Sequence, residues 1–437
     1  MSAPVIRELV LPVTGERAGR APLSWAQRVQ WNDTQAIAPD DHHFNLARVV
    51  EVPPGWTTPE LAGLLAALTG RHECLRTRYL VDADGNPYQE VFEQDELRIA
   101  VHEAVDVDAL RGKSFDLTGL PVRMSVVESG GVPRQLVLVL SHVTIDFAGA
   151  NLLVDELRSL LAGEVSLDGL PPVAHRQFDE AARQATPAGQ RRSAASLRYW
   201  EKLLRESPLT IFGPPVAGDA DRFGQLSMSS PALTAATTTV ARRMGVSGTT
   251  VVMAAVNVML GRITGQTAVP LRLIASNRGL TELRDVVGIT LGSCAILVPT
   301  RGRSFAEAVW DTAEATMQAY RRAQCDPVAL TALRAAVSAE RGVDEIEMSC
   351  GFNDIRVASA SVVDGYQDAV GLLSRTGFSW QTPLPEQESK LWYWVREQDG
   401  VDVHHALVDT WYLPRERAET LVRGVEHLVV TAAASCQ

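Results

Sequence analysis

Hydrophobic positions recur along this chain with two periods, and the switch from one to the other marks out its elements. Val5 to Val13 reads as a strand, and Ser24 caps a helix through WAQRVQW whose large apolar groups are Trp25 and Trp31. Phe44 to Val52 is a second strand. Thr58-Pro59-Glu60 is a cap with proline at the first helical position, and Leu61, Leu64, Leu65 and Leu68 then share one face of a helix that ends at Gly70. A hairpin follows across Asp84-Gly85-Asn86-Pro87, then strands at Leu97 to Val101 and Val122 to Val127. The clearest signal is Leu136 to Leu140, an unbroken apolar run that suits a strand covered on both faces. Behind it Leu153, Leu157 and Leu160 repeat at helical spacing until Gly163.

The loop GEVSLDGLPPVAH separates this half from the rest. A helix around Leu197 to Trp200 opens the second half, and Thr249 to Leu260 reads as a helix buried all round. The strand AVPLRLIAS comes next, then VVGITLGSCAILVPT, which leads into a long helix from Ser304 to Arg322. Further strands are expected at Glu345 to Asn353, Leu391 to Arg396 and Val401 to Asp409, with a closing helix from Pro414 to Ala432. Strands and helices of this order predict an α+β fold of two-layer sandwiches, divided into lobes at 1–178 and 179–437. No internal repeat and no low-complexity tract interrupts them.

Composition narrows the functional classes. A length of 437 residues with 46% hydrophobic residues supports two cores, and the net charge of −11 with no basic cluster argues against nucleic-acid or anionic-membrane partners. Arg7 and Glu8 fall inside the first apolar segment, which is therefore not a signal peptide, and Val251 to Leu260 is too short to span a bilayer. Five scattered cysteines without metal-ligand spacing fit a reducing cytoplasm and no metal.

The candidate chemistry sits where the central strand stops. Ser141, His142 and Asp146 follow Leu140 directly, so an imidazole is held between a rigid strand and a rigid helix. Such a ring, with a pKa of about 6.5, can take a proton from an amine or hydroxyl, or can merely orient it. The other histidines carry less. His42-His43 and His404-His405 are adjacent pairs, which on strands point to opposite faces and cannot chelate one metal together, and Trp392 and Trp394 are expected to pack a core. Ser141 lacks a nucleophile elbow.

Ser141-His142-xxx-Asp146 resembles the signature of condensation domains from nonribosomal peptide synthetases: two histidines, three residues, then Asp-Gly, with the second His catalytic. Here Ser141 stands for the first His and Phe147 for the Gly. Four further stretches are similar to that family in the same order: PLSWAQRVQW, RHECLRTRY, LRYWEKLL, and SNR with VVGITLGSCAILVPT. The resemblance implies two lobes like chloramphenicol acetyltransferase, set in a V around a tunnel that holds the site. It implies His142 as the catalytic base, and Asp146 as a structural carboxylate paired with Arg278, with Arg71 as a second candidate. Ser141 and Phe147 are then expected to line the tunnel, with the Phe147 ring projecting beside His142. The family's Tyr-x-Asp-Phe-type motif is reduced to HRQFDEAA, and no adenylation or carrier domain follows Gln437, so a free-standing protein is expected. It would need no cofactor of its own, and would join a phosphopantetheine-tethered acyl or aminoacyl group, on a carrier protein met in trans, to an amine or hydroxyl on a carrier or a small soluble acceptor. Two alternatives remain open at this point: a catalytically silent relative that binds tethered intermediates or recruits a tailoring enzyme, and cyclisation or hydrolysis in the same tunnel.

Overall fold

The computed structural model describes residues 5–216, 221–356, 369–382, 384 and 387–435. The fifth cysteine of the sequence, Cys436, lies outside them. The chain forms two compact units, one of residues 1–192 with 276–292, the other of 193–275 with 293–437. This differs from the expected division at 178/179, which would cut a helix at Gln177–Ala185. The return of 276–292 to the first unit has no local signature, because it depends on long-range pairing with Asp146.

In the first unit, the elements are β1 (Arg7–Thr14), β2 (Gly19–Pro22), α1 (Trp25–Ala36), β3 (Leu46–Glu51), α2 (Thr58–Arg71), β4 (Thr77–Val81) and β5 (Pro87–Val91). They continue with β6 (Gln94–His102), α3 (Val107–Arg111), β7 (Val122–Ser129), β8 (Val132–Leu140), α4 (Phe147–Leu161) and α5 (Gln177–Ala185). The main sheet has the order β1-β6-β7-β8-β3, and β2, β5 and β4 make a small second sheet. β8 is an interior strand: Leu140 pairs with Val122 on one side and with Leu46 on the other. Its two faces are both covered. Leu136, Leu138 and Leu140 pack with Leu61, Leu65 and Leu68 of α2 and with Leu153 and Leu157 of α4. Val137 and Val139 pack with Val107 and Leu110 of α3. Each of those buried leucines contributes about 1.5–3 kcal/mol, so the end of β8 is a fixed point.

α1 turns polar side chains inward. Its buried residues are Ala26, Gln27, Gln30 and Thr34, while Trp25 and Trp31 stay partly exposed. The Gln27 amide goes inward because it has partners there: Gln27 Nε2 donates to Gln89 Oε1 at 3.0 Å, and Gln89 Nε2 donates to the Pro22 carbonyl at 3.0 Å. Hydrogen bonding offsets the cost of burying such an amide.

α6 (Pro187–Glu206) spans the division. The second unit adds β9 (Phe223–Ser229), α7 (Pro231–Met244), α8 (Gly248–Thr264), β10 (Ala268–Ala275), β11 (Gly292–Pro299), α9 (Phe305–Tyr320) and α10 (Pro327–Glu340). β12 (Cys350–Asp354), β13 (Gly377–Gln381), β14 (Leu391–Gln398), β15 (Val401–Asp409) and α11 (Arg415–Ala434) complete it. One sheet of order β11-β10-β12-β14-β15-β9-β13 runs through the unit. α7, α8, α9 and α11 supply its largest core. Every residue of α8 from Thr250 to Gly261 is buried, as its apolar composition predicts. No single helix among the described residues is long and apolar enough to cross a membrane.

Two side-chain expectations need correction here. His42 and His43 lie in a 3-10 turn, Asp41–Phe44, with ring centroids 4.2 Å apart, because the strand begins only at Leu46. Trp392 and Trp394 are half-buried and alternate with the core residues Leu391, Tyr393 and Val395, so they lie on the opposite face of β14.

Candidate active site

The hydrogen bonds described below for the His142 turn and Asp146 all join residues of the first unit. β8 ends at Leu140, and the next residues form a tight turn: the Ser141 N–H donates to the Pro121 carbonyl at 3.0 Å, and the Thr144 and Ile145 N–H groups donate back to the Ser141 carbonyl at 3.1 and 3.3 Å. Two hydrogen bonds to the RHECLRTRY stretch fasten this turn. Thr144 Oγ1 donates to the Cys74 carbonyl, and Tyr79 Oη donates to the Val143 carbonyl at 3.4 Å. Tyr79 is itself buried and linked to Gln27 of α1. The two early motifs therefore act on the histidine turn through its backbone, and neither brings a side chain to the ring.

His142 is partly exposed, and its Nδ1 lies 3.1 Å from the Ile145 carbonyl oxygen. A carbonyl only accepts, so Nδ1 carries the proton and Nε2 holds the unshared pair. Burial pushes the imidazole pKa below its ordinary 6.5, and the Asp146 charge only partly offsets this. The ring is thus a neutral base at neutral pH, with its acceptor nitrogen free of any protein partner among the described residues.

Asp146 faces away from that ring. It caps α4, its Oδ1 accepting from the Gly149 N–H at 2.7 Å and from Arg278 Nη2 at 2.8 Å. Its Oδ2 accepts from the Thr290 N–H at 2.9 Å, and Thr290 Oγ1 lies 3.1 Å from it. Three N–H donors engage a carboxylate that is fully buried, and none of them comes from His142. Arg278 continues the clamp by donating from Nη1 to the Val286 carbonyl at 2.9 Å and from Nη2 to the Gly288 carbonyl at 3.3 Å. Asn277, at φ 55°, and Thr290 close the base of this excursion through Asn277 Nδ2 to the Thr290 carbonyl, 2.9 Å, and Thr290 Oγ1 to the Ser276 carbonyl, 2.7 Å.

Glycine is required at 149 in this contact, and Gly288 leaves room for the Gln177 side chain. A Cβ on Gly149 would stand 2.4 Å from the Gly288 carbonyl oxygen, and one on Gly288 would stand 2.2 Å from Gln177 Nε2. The first turn of α4 and the 288 backbone are therefore packed at backbone distance, and the Gln177 side chain of α5 lies against Gly288, its Nε2 donating to the Ile289 carbonyl at 2.9 Å.

The structure thus brings Ser141, His142, Asp146 and Arg278 together. It does not bring Arg71 to them, which corrects the expectation of Arg71 as a partner for Asp146. Arg71 closes α2 and reaches Glu156 of α4 at 3.4 Å, and His72 Nε2 lies 2.6 Å from the same carboxylate. Ser141 is buried. Phe147, the first residue of α4, is 37% exposed and its ring lies 4.4 Å beneath the Arg48 guanidinium. Thr290 and Arg48 were missed from sequence. Thr290 stands inside the VVGITLGSC stretch, where nothing local marks a threonine as the donor of two bonds, and Arg48 looks like an ordinary polar position on a strand. Among the described residues no group of three His, Cys, Asp or Glu side chains could hold a metal ion.

A mixed α/β unit thus presents a neutral imidazole at the end of a buried strand, braced by an Asp-Arg clamp. A family model described as the condensation domain matches residues 17–340, and the chain belongs to that family. Among curated relatives, phosphinothricin tripeptide synthetase PhsC of Streptomyces viridochromogenes is 28% identical over 334 residues, which cover 71% of this chain and 31% of that protein. The chain thus spans about a third of that relative's length. Of solved structures, the condensation domain that mediates chain release from the enacyloxin polyketide synthase aligns with a TM-score of 0.72 at 18% identity, over 95% of this chain and 83% of that one. The X-domain from teicoplanin biosynthesis aligns with 0.70 at 18% identity, over 97% of each chain. Both likenesses are likenesses of fold. Condensation domains of this family act with carrier domains whose phosphopantetheine arm bears the substrate.

Proposed function

We propose that this chain is a condensation-type acyltransferase. It transfers an acyl or aminoacyl group from a carrier-bound thioester to an amine or hydroxyl in natural-product assembly. The observation that supports this most is the His142 tautomer: with Nδ1 donating to the Ile145 carbonyl, Nε2 is the free acceptor at neutral pH. In the proposed step the nucleophile's nitrogen or oxygen bonds to the thioester carbon and gives its proton to Nε2. The carbon-sulfur bond then breaks, and the proton passes to the departing thiolate, so that an amide or ester and a free carrier thiol result. A positioned base supplies about 10²- to 10⁴-fold. Asp146, Arg278 and Thr290 act as positioning residues in this reading, fixing the first turn of α4 behind the histidine. Ser141 and Phe147 border the reacting groups.

A silent relative that binds tethered intermediates is the second reading, and Ser141 in place of the family's first histidine is what favours it. Intact-mass spectrometry separates the two. Acyl-loaded and aminoacyl-loaded carrier proteins are incubated with the wild-type chain and with His142→Ala. The proposal expects the acceptor carrier to gain the donor's acyl mass with wild type and to gain almost none with the variant. No transfer by wild-type protein, with both carriers still retained by it, would establish the silent reading instead.

A further inference from the structure

The replacement of the family's glycine by Phe147 has a companion in Arg48. Arg48 lies on β3 opposite Leu138 of β8, and its side chain crosses to the first turn of α4. Its Nε and Nη2 donate to Asn151 Oδ1 at 3.2 and 3.0 Å, its Nη1 to the Ala47 carbonyl at 2.9 Å, and its Nη2 to the Phe147 carbonyl at 3.3 Å, along an edge open to solvent. All of these acceptors are neutral. Burial is what lowers the guanidinium pKa, and no carboxylate counters it. The contrast with Arg278 on Asp146, or Arg17 on Glu73 and Asp179, is that those cations are compensated where they stand. Arg48 is instead seated on a half-exposed aromatic ring, a platform that fixes a guanidinium without neutralising it.

We propose that Arg48, held by Phe147 and Asn151, is a binding site for an anionic oxygen group of the substrate, a carboxylate or phosphate placed at the first turn of α4, five residues after His142. Four of its five N–H groups are engaged in these bonds, and the fifth, on Nη1, is left to donate to a charged acceptor, from which a partly desolvated cation gains most. The same chemistry has two sources, the phosphodiester of a tethered pantetheine arm or the carboxylate of a soluble acceptor, and the first of these rests on the condensation reading above. Phe147 then serves as the seat of a recognition residue, a role that the family's glycine could not fill.

The test is equilibrium binding by ligand-observed NMR with two matched pairs of probes, phosphopantetheine against pantetheine and hexanoate against hexanamide. Wild-type protein should prefer the anion in one pair by roughly 10- to 100-fold, the worth of a hydrogen bond to a charged group. The pair that shows the preference names the source. Arg48→Met should abolish it and Arg48→Lys should keep part of it. Should Arg48→Met fail to fold, Arg48→Gln, which can still donate to Asn151, carries the same comparison. Equal binding within both pairs by wild type, or a preference that survives in a folded Arg48→Met or Arg48→Gln, overturns the proposal. Because nothing here needs turnover, a preserved anion preference in a protein that transfers no acyl group would sink the condensation reading and leave this site standing.

Discussion

His142 in the first unit and His404 with His405 in the second are all imidazoles whose pKa burial depresses, yet they are set up for different ends. His404 and His405 sit inside β15, point to opposite faces, and are tied by side chains: His404 Nδ1 to Tyr393 Oη at 3.1 Å, His405 Nδ1 to Ser227 Oγ at 2.8 Å with Trp394 stacked on its ring at 4.9 Å. The Nε2 atom of each is sealed from solvent without a partner. His142 sits one step past the end of a strand, its tautomer set by a backbone carbonyl, and its ring remains partly exposed. Depressed basicity is therefore no mark of function by itself. What separates the two regions is whether the free nitrogen can be reached, and strand interior against strand end decides that.

The largest effect that tests this difference is kinetic. Replacing His142 by alanine should lower acyl transfer by about 10²- to 10⁴-fold with an unchanged melting temperature, whereas His405→Phe should leave the rate within a few fold of wild type. A folded His142→Ala protein with full rate would break the distinction.

The next effect is on stability and belongs to Asp146. Alanine there removes the acceptor of three N–H hydrogen bonds and leaves the Arg278 guanidinium without its counterion, a loss of roughly 3–5 kcal/mol in a chemical denaturation experiment. A variant as stable as wild type but without transfer activity would instead make Asp146 catalytic.

A smaller effect is the acid sensitivity of the second unit. The folded pKa of His404 is lowered to about 3, by burial and then by Arg356, and that of His405 to about 4, by burial and then by Arg396. Unfolded, both titrate near an ordinary 6.5, so the unfolded chain binds more protons below that pH. The stability they confer is complete above pH 6.5 and is lost as pH falls toward 4 and then 3. The denaturation midpoint of wild type should thus fall more steeply between pH 6.5 and 4 than that of His405→Phe. Parallel slopes would show that His405 takes up its proton at the same pH in the folded and the unfolded chain.

The same contrast explains what could be read in the sequence. The end of β8 was legible because five apolar residues, a histidine and a helix stopped by Gly163 are adjacent in the chain, and α8 was legible because it is apolar throughout. The buried face of α1 was not legible, since nothing in a glutamine announces that Gln89 will meet it. β9 was overlooked although Gln225 to Ser229 alternates polar and apolar residues, and it is held by pairing with β15 on one side and β13 on the other. α7 and α10 were overlooked although Ser230-Pro231 and Asp326-Pro327 are cap-and-proline signals of the kind that found α2. At the site, Asp146 and Arg278 were legible through family resemblance, but the geometry that excludes Arg71 is not, because it depends on Glu156 drawing Arg71 and His72 to the other end of α4.

The central claim is that His142 presents an unprotonated Nε2 at neutral pH. Two-bond proton-nitrogen correlation spectra of histidine-labelled protein, with the His142 signals assigned by their loss in His142→Ala, report tautomer and pKa together. The account predicts a neutral ring protonated on Nδ1 at pH 7 and a titration midpoint below the ordinary 6.5. A ring protonated on Nε2, or a midpoint above 6.5, would contradict it.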